Sequence, residues 1–185
     1  MSWATENCQR VESLRGLRIV STKVVEQALI QEGADGMPMY RHDAMPFLQA
    51  VLVEFRLGDG RFACFSTWQN DDTFPLALDI REQSLIADHW GEPLREGEPS
   101  IYRIAPETNL PLGVITGVRT SLDAADDLFQ VEIEIDGRPM LLRAGEVIEH
   151  GQGRAAACDL AGEILVFPDA ANLQRARLNE VIELA

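Results

Sequence analysis

Two pairs of adjacent acid and imidazole side chains, His42-Asp43 and Asp88-His89, are the first candidates for chemistry in this chain. A histidine oriented by a carboxylate can act as a general base or can activate a nucleophile. Side chains that are neighbours in sequence often point apart, and loops commonly carry such groups, so adjacency alone favours surface residues over a catalytic dyad. If these groups are functional, they would belong to a ligand-binding or enzymatic pocket near segments 40–43, 64–72 and 88–90. Tyr40, His42, Asp43 and His89 would line this pocket.

Cysteine is the other nucleophile that the chain offers. Cys64 lies in the middle of the apolar segment RFACFS, where burial raises the pKa of a thiol and makes it inert. Unpaired cysteine is also among the most frequently buried residue types, so we predict that Cys64 is structural and not catalytic. The three cysteines, Cys8, Cys64 and Cys158, are odd in number and widely spaced. This favours reduced thiols in the cytoplasm over a disulfide framework.

The segment Trp68-Gln69-Asn70-Asp71-Asp72 combines an aromatic ring with amides and carboxylates. Such a corner could line a ligand pocket, or it could be an interface hot spot, where tryptophan is enriched. In the simpler interpretation, Asn-Asp-Asp makes a turn and Trp68 packs against the edge of the core. The sequence leaves both interpretations open.

Local motifs for metals, nucleotides and hydrolysis are absent from the sequence. The three histidines have no H-x-H, H-x₃-H or HExxH spacing, and the chain contains no CxxC, GxGxxG, GxxxxGK[ST] or GxSxG. The acidic segment SLDAADD (121–127) lacks the DxDxDG spacing of a calcium loop. The sequence therefore predicts no metal and no cofactor, except at a site that distant residues would have to assemble.

The central stretch 46–80 predicts strand, tight turn, strand, polar corner and strand. Apolar and polar residues alternate over 51–57, and Gly58-Asp59-Gly60 supplies the positive φ values of a hairpin. We favour a two-residue loop that places Phe55 opposite Cys64 and Leu57 opposite Phe62. A three-residue loop would instead place Phe55 opposite Ala63, because a slip of one residue exchanges the two faces of a strand.

A second hairpin is predicted over 129–143, with Asp136-Gly137 as its turn. In this register Ile133 lies opposite Met140 and Glu134 opposite Pro139. Proline lacks an amide donor, so the returning strand should be an edge there or should be bulged. The two hairpins resemble each other, VEFRLGDGR against VEIEIDGR, but shared turn chemistry explains this more simply than a duplication does.

Weaker patterns surround the two hairpins. We expect a helix over 2–15, a strand over 17–20, a helix beginning after Ser21-Thr22 over VVEQALI (with a strand as the alternative), a loop over 32–46, a linker over 91–100, and a carboxyl-terminal helix over 170–184 with Leu173, Ala176, Val181 and Leu184 inward. The fold class is α+β: mostly antiparallel β, as a hairpin-centred sheet or two small sheets, with a few helices. We expect a single domain over 1–185, and two β-rich halves (1–90 and 101–185) joined by the linker are the alternative arrangement.

The net charge of −14 is distributed unevenly along the chain. Residues 1–66 hold eight acids and seven bases, a net of −1, whereas residues 67–185 hold twenty-two acids and nine bases, a net of −13. A field of this sign repels phosphate backbones, which argues against direct nucleic-acid binding, and it speeds the encounter with a basic protein. An acidic surface that only maintains solubility is the simpler explanation and stays open.

The charge asymmetry and the missing catalytic motifs favour a non-enzymatic protein that binds a basic partner. The most concrete form of this hypothesis is an intracellular inhibitor, of the immunity-protein kind, that neutralises a basic protein such as a toxin by occluding its active site. Acidic side chains would speed encounter and an aromatic side chain would anchor the complex. The candidate partner-binding residues are Trp68, Asp71, Asp72, Trp90, Asp123, Asp126, Asp127, Glu132 and Glu134.

Two other functions remain open. One is an enzyme or small-ligand-binding protein that uses the pocket described above, and the other is a structural homo-oligomer that pairs a strand edge near Pro139. No apolar run approaches the roughly 20 residues that span a membrane. The segment MSWATENCQR lacks a basic region followed by an apolar one, so we expect no secretory signal and a cytoplasmic location.

Overall fold

The computed structural model describes residues 2–33, 35–70, 72–89, 100–151 and 153–184, and these fold mainly into antiparallel β-structure. The helices in the described ranges are few: α1 (Trp3–Glu12), α2 (Leu85–His89) and a short 3-10 helix (Ala170–Arg175). The prediction of a mostly antiparallel protein with few helices is confirmed. The predicted linker 91–100 lies almost wholly outside the described residues.

Some of the strands pair into a closed ring, and the remaining strands extend it at its edges. They are β1 (Arg18–Gln27), β2 (Leu48–Leu57), β3 (Phe62–Thr67), β4 (Leu76–Arg81), β5 (Tyr102–Ile104), β6 (Gly113–Leu122), β7 (Leu128–Ile135), β8 (Arg138–Gly151), β9 (Arg154–Phe167) and β10 (Val181–Glu183). Neighbours follow the order β10-β9-β8-β7-β6-β1-β2-β3-β4, and β2 also pairs with β9. The pairings therefore close the circuit β1-β2-β9-β8-β7-β6. The strands before and after residues 91–99 meet at β1–β5, β1–β6 and β2–β9.

One large apolar cluster takes side chains from every strand of this circuit and from the segment that follows α1. Phe55 of β2 meets Phe65 of β3 edge to face, with ring centroids 5.9 Å apart. A second cluster is centred on Phe47 and Phe167, whose centroids are 5.4 Å apart. Fully burying one such aromatic ring stabilises the fold by about 2–3 kcal/mol, so these clusters dominate its stability.

Helix α1 lies against the free edge of β4. Its Asn7 donates from Nδ2 to the Leu76 carbonyl and accepts the Leu78 amide at Oδ1, 3.0 Å away. Arg10 Nη1 donates to the Leu78 carbonyl at 2.9 Å. Because α1 satisfies backbone groups that a further strand would otherwise pair with, it blocks this edge. The same contacts fix the amino end of α1 beside the β3–β4 loop.

The favoured register of the first hairpin is wrong. Val53 pairs with Phe65 and Phe55 with Ala63, which is the three-residue-loop alternative. The Gly60 φ of +95° suits the last residue of such a loop. This register turns both phenylalanines into the large apolar cluster, where each is fully buried. Core packing therefore decided between two registers that the turn residues alone could not separate.

The second hairpin has the predicted register, with Ile133 opposite Met140 and Glu134 opposite Pro139. On its other side β8 pairs with β9 from Leu141 onward, opposite Phe167. Pro139 therefore lies just beyond the end of that pairing, as a residue without an amide donor requires. The alternating segments 146–150 and 163–167, which the sequence predicts as two short strands, are parts of the long strands β8 and β9.

The helix predicted over VVEQALI is wrong, and the strand alternative is correct. The segment continues β1 as far as Gln27, with β2 on one edge and β5 on the other. The β-branched pair Val24-Val25 suits a strand that packs on both faces, and both residues are fully buried. Hydrogen bonds from two neighbouring strands outweigh the local helix cap.

The carboxyl-terminal helix is also largely wrong. Only a short 3-10 helix forms, and the strand β10 follows it. Arg177 and Asn179 have φ values of +45° and +64°, which no right-handed helix accommodates. Ala176 and Leu184 are nevertheless buried, whereas Val181 is 52% exposed.

Candidate functional site

A cavity of about 280 Å³ opens where the amino end of α1 meets the β3–β4 and β6–β7 loops. We call it the Trp cavity, and its lining consists of Ser2, Trp3, Ala4, Trp68, Asn70, Ala125, Asp126 and Asp127. Trp3 and Trp68 are 43% and 63% exposed, which is unusual because tryptophan is highly buried on average. The cavity thus brings two accessible indoles and two carboxylates to one place.

The β3–β4 loop holds Trp68 at this cavity. The Trp68 amide donates to the Pro75 carbonyl at 2.9 Å. Two residues farther along, Asn70 and Thr73 exchange backbone hydrogen bonds that are both 2.9 Å long. The loop is therefore closed tightly by its own backbone, and Trp68 projects from a fixed base.

The β6–β7 loop positions the carboxylates. Asp123 Oδ1 accepts the amides of Ala125, at 2.8 Å, and of Asp127, at 3.0 Å. Asp126 adopts φ +62°, a left-handed conformation that aspartate tolerates better than most residues. The Asp123 side chain is thus occupied in shaping the loop, while Asp126 and Asp127 line the cavity.

A carboxylate joins the two loops. Asp127, only 7% exposed, accepts hydrogen bonds at Oδ2 from Thr73 Oγ1, at 2.7 Å, and from Asn70 Nδ2, at 3.4 Å. Both donors contact the same oxygen, so they orient the carboxylate while Oδ1 lies outside this pair of bonds. A group held in this way loses little conformational entropy when it binds a ligand.

The charge of the Trp cavity is negative. The amino end of α1 contributes about half a positive charge, because its first amides have no partner within the helix. The side chain of Ser2 caps the helix by accepting the Thr5 amide at 3.3 Å. Asp126 and Asp127 together exceed that half charge, so the cavity as a whole favours a cation.

The predicted partner-binding residues separate into two groups. Trp68, Asp126 and Asp127 come together at the Trp cavity, with Asp123 behind them in the loop. Asp72 is exposed on the β3–β4 loop but does not belong to the lining. Asp71 and Trp90 lie outside the residues that the structure describes.

Glu132 and Glu134 belong to a different surface, on β7. Glu132 forms an ion pair with Arg119, and Glu134 Oε1 accepts the hydroxyl of Thr116 at 2.7 Å. With a rise of about 3.3 Å per residue, Glu134 lies roughly 23 Å along the chain from Asp127. These glutamates therefore do not extend the acidic face of the Trp cavity.

Trp3 is the member of the site that sequence reasoning missed. It stands 65 positions before Trp68 in the chain, and no spacing connects the two residues. The one local signal was the Ser2 cap, which places Trp3 at the first position of α1. Only the contact of α1 with β4 brings this end of the helix to the β3–β4 loop.

The alternative pocket is only partly assembled. His42 and Asp43 line a second cavity of about 300 Å³, the His42 cavity, whose lining is Arg41, His42, Asp43, Met45, Pro46, Phe47, Leu48, Pro168 and Asn172. His42 Nδ1 accepts the Ala44 amide at 3.2 Å, so this nitrogen is used by the backbone rather than by Asp43. The backbone of His89 ends α2, and its side chain lies outside the described part of the chain.

Tyr40 belongs to an ionic network around the buried Glu26 instead of the His42 cavity. The Glu26 carboxylate is fully buried and forms ion pairs with two arginines. Its Oε1 lies 2.5 Å from Arg41 Nη2, without the geometry of a hydrogen bond, and its Oε2 lies 2.9 Å from Arg103 Nε. The Arg103 guanidinium lies 3.9 Å from the centroid of the Tyr40 ring, and the Tyr40 hydroxyl donates to the Ser100 carbonyl. Burial raises the pKa of Tyr40, against the opposing effect of Arg103. The network fastens the loop before β2 to β1 and β5.

Cys64 has the environment of an inert thiol. It is 2% exposed, and its Sγ lies 3.7 Å from the Glu54 carboxylate. Burial, with the Glu54 charge as the next cause, raises the pKa of the thiol to about 12. Glu54 also accepts the Ser84 hydroxyl at 2.8 Å and the Ile86 amide at 3.3 Å, so it connects β2 to the start of α2.

A perturbed carboxyl that sequence reasoning also missed lies where β8 and β9 diverge. The pairing of these strands slips between Ala144–Ile164 and Gly145–Asp159, and Glu163 lies within the slipped part of β9. Burial, followed by the charge of Glu146, raises the pKa of Glu163 to about 8. A carboxyl of this kind can serve as a general acid. Neither glutamate lines the Trp cavity or the His42 cavity, so no substrate space accompanies the pair there.

Within the described ranges, no group of three or more histidine, cysteine, aspartate or glutamate side chains is arranged to hold a metal ion. The helices found in those ranges are too short or too polar to cross a membrane.

The chain matches no protein-family model, no curated protein and no solved structure.

Proposed function

We propose that this protein is a non-enzymatic binding protein for a basic protein partner, with the Trp cavity at the centre of the interface. The observation that carries the proposal is the convergence of Trp3, Trp68, Asp126 and Asp127 on one cavity. In its most concrete form, the protein is an intracellular inhibitor of the immunity-protein kind, which neutralises a toxin or similar basic protein by covering its active site.

The energetic argument starts from the exposed indoles. Tryptophan is the residue most often found as an interface hot spot, and desolvating a large aromatic ring contributes up to about 2–4 kcal/mol to binding. Trp68 is 63% exposed in the free protein, so most of its surface remains to be buried by a partner. The backbone of Trp68 is held by its loop, so little backbone ordering entropy opposes binding.

The charge contributes to the rate and the selectivity of binding. Residues 67–185 carry a net charge of −13, and the loop that bears Asp126 and Asp127 belongs to this part of the chain. At physiological ionic strength, screening limits such attraction to about 8 Å. Within that distance the negative charge attracts a basic protein and accelerates the encounter, while the carboxylates at the cavity select a positively charged group at contact.

The test is affinity capture from lysate of the cells that make the protein, with wild type and a Trp68→Ala variant in parallel. Leu112→Ala is the matched control, since Leu112 is 51% exposed and lies outside the Trp cavity. We expect a basic protein that wild type and the control retain at low salt, that high salt weakens, and that Trp68→Ala loses. Equal capture by all three proteins would place the interface elsewhere.

A second candidate function is small-ligand binding or catalysis at the His42 cavity. The observation in its favour is that His42, Asp43 and Arg41 line one cavity of about 300 Å³, the lower limit for a small-molecule site. Saturable thermal stabilisation by a metabolite, abolished by His42→Ala and unaffected by Trp68→Ala, would favour this function.

A further inference from the structure

We propose that the Trp cavity recognises a single arginine side chain of the partner, an inference that rests on the proposed function and specifies its central contact. The cavity joins two accessible indoles to an oriented carboxylate in about 280 Å³. Small-molecule pockets span roughly 300–1,000 Å³, so this space lies at their lower limit and is large enough for one side chain.

The aromatic part of the lining selects a cation with a flat face. Trp3 and Trp68 are 43% and 63% exposed, so both offer indole surface to a ligand. Tryptophan binds cations through the negative face of its ring more strongly than the other aromatic residues do. A guanidinium is planar and weakly hydrated, and it stacks on such rings, whereas a lysine ammonium is a compact and strongly hydrated charge.

The carboxylates of the lining favour a cation that carries several N–H donors. Thr73 and Asn70 donate to Asp127 Oδ2, at 2.7 and 3.4 Å, and thereby orient the carboxylate. Exposed Asp126 adds a second negative charge at the rim. An arginine guanidinium presents several N–H donors in a rigid plane and matches a fixed carboxylate better than a single ammonium does.

The amino end of α1 is the feature that could favour an anion instead. Its effect equals about half a positive charge and declines within the first turn of the helix. The two aspartates of the lining carry about four times that charge with the opposite sign. A cation therefore remains the preferred ligand, and inorganic sulfate serves as the opposing probe.

The experiment follows the indole N–H signals of the full-length protein by NMR while a blocked amino acid is added. The probes are N-acetyl-arginine methylamide, the corresponding lysine compound, the citrulline compound, which keeps the arginine shape without its charge, and sulfate. Trp3→Phe and Trp68→Phe variants assign the signals. We expect the arginine compound to shift the Trp3 and Trp68 signals saturably, with a dissociation constant on the order of 1 mM for so small a ligand.

The comparisons decide the assignment. We expect binding of the lysine compound to be about tenfold weaker and no saturation with citrulline or sulfate. Trp68→Ala or Asp127→Asn should weaken arginine binding about tenfold or more, whereas Glu180→Gln, an exposed acid away from the cavity, should leave it unchanged. If Asp127→Asn disturbs folding, Asp126→Asn tests the contribution of the negative charge. Trp68→Ala, at an exposed position, tests the contribution of the indole ring.

Equal binding of lysine or citrulline, saturation by sulfate, or no shift up to the solubility limit of the arginine compound would overturn the assignment. These outcomes are separate from the failure of the proposed function. A basic partner that wild type captures and Trp68→Ala loses would still support the interface after the arginine assignment had failed. If no such partner exists and arginine nevertheless binds, the cavity is a site for a small guanidinium ligand and the proposal of a protein partner is overturned.

Discussion

Replacing Glu163 by glutamine should stabilise the protein at alkaline pH and leave its stability almost unchanged in acid. Burial, and secondarily the charge of Glu146, raises the pKa of Glu163 from 4.5 to about 8 in the folded protein. The native state therefore favours the protonated carboxyl, whereas the unfolded chain ionises it at its ordinary pKa. Glutamine imitates the protonated form and cannot ionise.

Proton linkage sets the sign and the pH range of this effect. Because the native carboxyl holds its proton more tightly than the unfolded one, its contribution to stability is complete below pH 4.5 and is lost as the pH rises through about 8. A pKa change of this size corresponds to about 5 kcal/mol for a group fully shielded from water. Glu163 is only partly buried, and solvent screening reduces the expected free-energy difference to roughly 2 kcal/mol.

The assay is urea unfolding of wild type, Glu163→Gln and the exposed control Glu180→Gln at a series of pH values. The Glu163→Gln variant should exceed wild type by roughly 2 kcal/mol above pH 8, and the two should converge below pH 4.5. The control should follow wild type throughout. A difference between Glu163→Gln and wild type that is constant across the whole range would refute the reasoning.

Two substitutions and one measurement of thiol reactivity test the fold. Asn7→Ala removes both hydrogen bonds to the β4 edge and should lower the free energy of unfolding in urea by about 2–4 kcal/mol, whereas exposed Gln9→Ala should have little effect. Glu26→Gln leaves two arginines without their buried partner and should cost roughly 2 kcal/mol in the same assay. Cys64, whose thiol pKa is raised to about 12, should react with a thiol reagent only as fast as the protein unfolds, and partly buried Cys8 should react sooner.

Local sequence predicted the strands where one face is apolar and the turn is unambiguous. The hairpin around Asp136-Gly137 has its predicted register because a two-residue turn and alternating side chains agree. The hairpin around 58–60 does not have its predicted register, because Gly-Asp-Gly permits two loop lengths. The choice between them depends on packing between Phe55 and Phe65. Register at such a turn is a property of the core rather than of the turn.

Long-range features had no local signal. The circuit of strands closes where Leu48 pairs with Val166, more than a hundred positions later. The Trp cavity likewise draws Trp3, Trp68 and Asp127 from three separate segments. Residue types and charge pointed to Trp68 and the aspartates of 123–127, but only the docking of α1 on β4 reveals that a second tryptophan joins them.

The most direct test of the central claim is the affinity of the captured basic partner, measured by calorimetry at one fixed salt concentration for wild type, Trp68→Ala and Leu112→Ala. We expect Trp68→Ala to bind at least about tenfold more weakly, a loss of about 1.4 kcal/mol or more, and Leu112→Ala to bind like wild type. Equal affinities for wild type and Trp68→Ala would contradict the claim that the Trp cavity forms the centre of the interface.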